Sequence, residues 1–223
     1  MITKQLPTVL YLLDHAQPGG GETSFLGLMK AWLQADLPVT PVIIMPEDGP
    51  IRSELENMGL EVVHIAYPRR TRYGIIPWWS FKAASLILDT AARLQPTVIH
   101  ANNSFGMCYA GEAARKLGIP LVWTCHGWFD IDTRIKAWFA NRNVTHISCV
   151  SGSVCEEVIR RLGPVPDSSI DYLGIEPDTG SVAREAIRRD MNIDSNCTLI
   201  GVLGRFQEIK GHHLFLKALP TVV

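Results

Sequence analysis

The sequence predicts an α/β fold, a doubly wound and mostly parallel sheet, and three observations carry that expectation. Short apolar runs alternate with segments of helical period from one end of the chain to the other. Several of these runs lack the polar–apolar alternation of a half-wet strand, so they read as strands covered on both faces, as in a parallel sheet. The links are short and are punctuated by helix stops such as Gly118-Ile119-Pro120 and Leu162-Gly163-Pro164. Strand–helix alternation of this kind implies right-handed crossovers that place helices on both sides of one sheet.

Taken in order, the predicted strands are Thr8–Leu13, Val39–Met45, Leu60–Ile65, Thr97–Ala101, Leu121–Cys125, Thr145–Val150, Ile170–Leu173 and Thr198–Leu203. Between the first two, Glu22 to Gln34 sets Phe25, Leu26, Leu28, Met29, Trp32 and Leu33 on one broad apolar stripe, the mark of an amphipathic helix. Trp78 to Leu94 does the same through Phe81, Ala84, Leu88 and Ala92. Gly106–Leu117 and Ser151–Leu162 are the next helices, with Ser151 as the cap of the second. From Leu173 to Asn196 the composition turns to Gly, Pro and charge, which reads as a connector around a short helix, Val182–Met191. A strand and a helix near His212–Leu219 close the sequence. The domains expected are therefore residues 1–175, a connector over 176–196, and the incomplete start of a second domain over 197–223, since one strand and one helix cannot bury a core of their own.

Composition narrows the function classes. Of 223 residues, 47% are hydrophobic and 19% charged, enough apolar content for a packed core. A net charge of −1 gives no global pull towards nucleic acid, which is not expected as a partner. The five cysteines, Cys108, Cys125, Cys149, Cys155 and Cys197, form no Cys-x2-Cys pair and mostly sit in apolar runs. They read as reduced, mostly buried thiols, hence as a cytoplasmic protein without a zinc or disulfide framework. The apolar run Val9–Leu13 is too short for a signal peptide or a membrane span.

Three segments carry chemistry. Gly19-Gly20-Gly21-Glu22-Thr23 follows the first strand and opens the first helix. Glycines let a ligand approach the backbone, and a helix start offers free N–H groups to an anion. The same residues also suit a plain tight turn, and they match neither a Gly-x-Gly-x-x-Gly fingerprint nor a P-loop. Thr124-Cys125-His126-Gly127 ends another strand and sets an imidazole at the carboxyl edge of the sheet, where α/β ligands bind. His100 has a similar address beside Asn102 and Asn103, whose amides suit sugar hydroxyls or turns. In Gly204-Arg205-Phe206-Gln207-Glu208-Ile209-Lys210-Gly211, the guanidinium and the ammonium suit a diphosphate, or a solvated loop.

The ordered set of these motifs, with Pro96-Thr97-Val98-Ile99-His100-Ala101, Val150-Ser151 and Leu173-Gly174-Ile175-Glu176 between them, resembles the retaining GT-B glycosyltransferases (glycosyltransferase group 1, family 4-like) across essentially all 223 residues. The resemblance implies a Rossmann-like, GT-B N-terminal domain on the acceptor side, followed by the beginning of the nucleotide-sugar-binding domain. It implies a hexosyltransferase of polysaccharide or lipopolysaccharide biosynthesis, moving a sugar from a nucleotide-diphosphate donor to a carbohydrate or lipid-linked acceptor with retention. Gly19, Gly20, Gly21 and Glu22, with Asn102, Gly127 and Gly204, match positions around donor diphosphate and acceptor; His126 matches a histidine near the transferred sugar. Arg205 and Lys210 match the pair that neutralises the leaving diphosphate, so no metal and no cofactor are expected.

Two departures stand beside the resemblance. Leu173 replaces the usual Asn of an Asn-Gly-hydrophobic-Asp segment, and the family's Glu-x7-Glu segment would fall beyond residue 223. The 223 residues by themselves are accordingly expected to be inactive. Arg69, Arg70 and Arg72, with Trp78 and Trp79, read either as a peripheral contact with the inner face of a membrane or as a solvated loop beside packed tryptophans. Two other classes remain open from sequence: a nucleotide-dependent oxidoreductase or epimerase, and a non-catalytic binding module. The apolar segment Leu199–Leu203, in need of a partner, suggests a homodimer.

Overall fold

A computed structural model describes residues 6–68, 71–72, 76–77, 80–127, 130, 133–163, 167–175, 184–194 and 196–222. The chain divides into two units, Met1–Glu176 and Pro177–Val223.

The first unit is built on β1 (Thr8–Leu12), α1 (Gly20–Gln34), β2 (Thr40–Met45), α2 (Pro50–Asn57) and β3 (Glu61–His64). A small antiparallel ribbon, β4 (Thr71–Arg72) with β5 (Ile76–Pro77), follows. Then come α3 (Phe81–Leu94), β6 (Val98–Ala101), α4 (Ser104–Leu117), β7 (Leu121–Cys125), α5 (Arg134–Asn143), β8 (His146–Cys149), α6 (Gly152–Leu162) and β9 (Asp167–Ile170). The seven long strands form one sheet in the order β3-β2-β1-β6-β7-β8-β9, and every pairing in it is parallel. The chain winds outward from β1 in one direction and then, through α3, in the other. That reversal opens a crevice at the carboxyl ends of β1 and β6, the place where α/β sheets bind ligands.

Because side chains alternate along a strand, the register fixes two faces. Leu12, Ala101, Trp123 and Ile147 point to one side and are buried with the inner faces of α3, α4, α5 and α6. Tyr11, Leu13, Ile43 and Met45 point to the other and are buried with Phe25, Leu26 and Met29 of α1 and with Ile51 and Leu55 of α2. Along β6 to β9 that second face changes character: His100, Val122, His146 and Ser148 are half-buried and belong to neither core cluster.

Local chemistry explains the helix starts. The Ser80 hydroxyl accepts from the Ala83 N–H, Thr133 from Lys136 and Ser151 from Val154. At α4 the cap comes from a distant strand end: the Asp14 carboxylate accepts from the N–H groups of Phe105 and Gly106 at 3.0 and 2.7 Å. Gly118 ends α4 in the left-handed region that only glycine enters without cost.

Three expectations need correction. The last strand of the sheet is Asp167–Ile170, not Ile170–Leu173; its polar Asp-Ser-Ser-Ile sequence is tolerated because β9 is an edge and only Ser168 and Ile170 face the core side. The expected strand Thr198–Leu203 forms no ladder among the described residues, since no described strand pairs with it; Leu199 and Leu203 are exposed. Helices α2 and α5 and the β4–β5 ribbon were not anticipated. The second unit holds α7 (Arg184–Asp190), a short 3-10 turn over Glu208–Lys210 and α8 (His212–Val222). Arg69, Arg70, Trp78 and Trp79, the expected membrane contact, lie outside the described residues, as does the side chain of Arg72. Among the described residues no helix is long and apolar enough to cross a membrane.

Candidate functional site

The glycine turn delivers its third glycine to the imidazole. Helix α1 starts at Gly20, with Gly19 as its cap and the Thr23 N–H bonded to the Gly19 carbonyl at 2.9 Å. A Cβ on Gly21 would stand 3.1 Å from Nε2 and 3.2 Å from Cε1 of His126, whereas one on Gly20 would meet nothing. Only a bare Cα lets the ring sit this close. The Asn102 amide, from the end of β6, reaches the Gly21 carbonyl at 3.5 Å.

His126 is held from two directions. Its main-chain N–H donates to the Asp130 carboxylate at 2.8 Å, and its ring is hydrogen-bonded to the Asn102 main chain. Nε2 is buried without a hydrogen-bond partner among the described residues. Burial holds the ring's pKa below the ordinary histidine range, against the pull of the Asn102 bond and the Glu22 carboxylate. Burial thus favours the neutral ring, which donates to the Asn102 main chain and leaves Nε2 to accept a hydrogen bond from a ligand hydroxyl. Asp130 itself is buried, and burial pushes its carboxyl up to about 6 against the His126 N–H, the Lys136 charge and the Ser104 hydroxyl.

Glu22 occupies the start of α1. It is buried, and its Oε2 stands 2.5 Å from where a Gly19 Cβ would be. The seat expected for an anion therefore already has a carboxylate of the same chain folded over it. Gly127 accepts from the Asp130 N–H and the Cys125 thiol, so it shapes the His126 loop.

From Gly21 and His126 a cavity of about 420 Å³ runs between α1 and the polar strand ends. Phe25, Leu28 and Ala31 form one wall; His100, Asn102, Thr124, Ser148 and Asp171 form the other; the exposed segment 172–175 also lines it. His100 Nε2 and Thr124 Oγ1 are 2.7 Å apart, and burial lowers the His100 pKa to about 4, with the neighbouring His126 adding to the effect. The Asp171 carboxylate accepts from the hydroxyls of Ser169, at 2.5 Å, and Ser148, which keep it below the usual carboxylate range.

Gly204, Arg205 and Lys210 lie in the second unit. There a Cβ on Gly204 would stand 3.6 Å from Lys210 Cγ and 3.6 Å from the His212 ring, and Arg205 is exposed. The structure thus brings together Gly19, Gly20, Gly21, Glu22, Asn102, His126 and Gly127 in one unit, and Gly204 and Lys210 in the other.

The sequence profile described as Glycosyltransferase Family 4 matches residues 18–178. The chain belongs to that family. The fold of this glycosyltransferase family 4 chain is similar to that of Anabaena HepE, solved in complex with UDP, at a TM-score of 0.73 and 18% identity over 96% of this chain. A glycosyltransferase from Rickettsia africae gives 0.68 and 15% over 97% of the chain. The lipopolysaccharide outer core galactosyltransferase WaaB gives 0.56 and 11%, covering 78% of this chain and 50% of that one. The chain spans 57% of the length of the Anabaena and Rickettsia proteins. No curated protein matches it by sequence.

Sequence reasoning passed over Ser148, Asp130 and Asp171, and quoted Thr124 only as part of the segment that ends in His126 and Gly127. The signal was there in part: His100 and Asn102, Thr124 and His126, His146 and Ser148, Ser169 and Asp171 each repeat polarity at every second position, the period of one strand face.

Proposed function

We propose that this chain is the acceptor-side portion of a metal-independent glycosyltransferase that moves a sugar from a nucleotide-diphosphate donor to a hydroxyl acceptor with retention. One observation carries the reading: a neutral imidazole with an unpartnered Nε2, packed on a bare glycine at the mouth of a cavity at the carboxyl edge of a parallel sheet. Membership of family 4 and a fold similar to that of UDP-bound HepE support it.

In this reading His126 hydrogen-bonds a hydroxyl of the sugar in transfer and orients its anomeric carbon. The cations Arg205 and Lys210 stabilise the departing diphosphate, the main electrostatic lever when no metal is bound. The leaving diphosphate takes the proton of the attacking hydroxyl on the same face. Glu22 has to swing away from Gly19 before an anion can settle there. The 223 residues alone turn over little, the donor-side remainder being needed.

The test is transfer by a polypeptide that joins these residues to their donor-side remainder, with UDP-glucose and other nucleotide sugars and product anomers read by NMR. Retention that persists in EDTA, and a fall in kcat of about 10²-fold for His126→Ala and for Lys210→Ala, are expected. Inverted product, or a His126→Ala variant with full kcat, refutes the assignment. Substantial turnover by the 223 residues alone refutes the division of labour.

A further inference from the structure

The cavity's chemistry is lopsided. Among the described residues no lysine or arginine lines it, and the carboxylate of Asp171 is its one full charge at neutral pH. That carboxylate is held in place by two hydroxyls, those of Ser169 and Ser148, and carries free lone pairs for further donors. Beside it stand Thr124 and the His100 ring, bonded to each other. Opposite, Phe25, Leu28 and Ala31 present an apolar wall. A ligand that satisfies both walls carries several hydroxyls on one side and C–H surface on the other, and bears no negative charge. The volume, about 420 Å³, lies within the roughly 300–1,000 Å³ of small-molecule sites.

We infer that this cavity seats an uncharged sugar residue of the acceptor, with Asp171 as the specificity-determining carboxylate that accepts its hydroxyl hydrogens and turns anionic sugars away. The inference rests on the transferase reading for the word acceptor and deepens it by naming the substrate class. Burial favours the neutral form of the two rings that line the cavity, His100 and His126.

The test uses the 223-residue chain and matched p-nitrophenyl glycosides: glucoside, galactoside and mannoside, each beside its uronide. Binding is followed by amide chemical shifts at Gly21, His126 and residues 171–174. At least one neutral glycoside is expected to move these amides, with its uronide about tenfold or more weaker. Asp171→Asn should weaken the neutral glycoside about tenfold and bring the uronide level with it, while Ser169→Ala, which leaves the carboxylate in place but loosens it, gives an intermediate loss. A uronide that binds as well as its neutral partner, an Asp171→Asn variant with unchanged preference, or no shift with any neutral glycoside overturns the inference. The two readings fail separately. Glycoside binding through Asp171 in a protein without transfer removes the enzyme and leaves the sugar site. Transfer to uronides, indifferent to Asp171→Asn, removes the sugar site and leaves the enzyme.

Discussion

The contact between Gly21 and His126 can be weighed by comparing two neighbouring glycines. Gly20 and Gly21 both lie in the first turn of α1, and neither has a positive φ, so alanine fits the backbone at each. Replacing glycine by alanine in a helix stabilises by roughly 0.5–1 kcal/mol through the lost freedom of the unfolded chain. At Gly20 nothing stands in the way, and that gain should appear in full. At Gly21 the new methyl meets the His126 ring at 3.1 and 3.2 Å, tighter than ordinary van der Waals contact. The ring is pinned through Asn102 and cannot retreat freely; displacing it costs about 1–2 kcal/mol, the scale of an overpacked core position. Urea unfolding of the two variants should therefore differ by about 1–2 kcal/mol, Gly20→Ala being the more stable. In a His126→Ala background the difference should vanish, because the ring is gone. If Gly20→Ala and Gly21→Ala are equally stable, or the gap persists without the ring, the contact is not what keeps Gly21 bare.

Other expectations follow from equally local facts. Gly111→Ala drives a Cβ to within 2.6 Å of the Asn143 amide nitrogen and should destabilise the α4–α5 contact by about 1–3 kcal/mol in urea melts. Asp14→Ala strips the cap from α4 and should cost about 1–3 kcal/mol, with Asp14→Asn milder. Burial lifts the Asp14 carboxyl to about 7, so the folded state holds its proton longer than the unfolded chain does. The stabilising effect of that proton is full below pH 4 and is lost as pH rises towards 7; the stability of the wild type relative to Asp14→Asn should decline across that window, as melts at several pH values will show. His100, lowered to about 4, works the other way, so His100→Gln should remove a gain in stability between pH 4 and 6.5. The exposed apolar segment Leu199–Leu203 should promote self-association, and Leu199→Lys with Leu203→Lys should shift sedimentation towards monomer.

The parallel sheet was legible because its central strands are apolar on both faces: Thr40–Met45 and Leu121–Cys125 announce themselves without alternation. Strand β9 was placed three residues late because Asp167-Ser168-Ser169 carries no apolar run; this edge strand buries none of its residues, Ile170 itself being 46% exposed, and so leaves little apolar signal. Helix α2 was missed because its eight residues bury just Ile51 and Leu55, too few for a periodic stripe. The meeting of Gly21 with His126 was suggested by both lying at strand ends, yet the contact itself depends on the sheet order, which places β6 between β1 and β7. Glu22's fold-back over Gly19 is a rotamer choice in a tight space, and nothing in the residue string encodes it.

The ladder that joins β1 to β6 pairs Val9 with Val98. Strand β1 is thus among the first stretches made, yet its β6-side edge stays open until Val98 and its neighbours have followed. At about 5–20 residues per second on the ribosome, an interval of roughly 5–20 seconds passes with one edge of Leu10–Leu12 open. Nascent chains halted before β6 should present the edge of β1 to other chains, and those halted between β6 and β7 the edge of β6 instead.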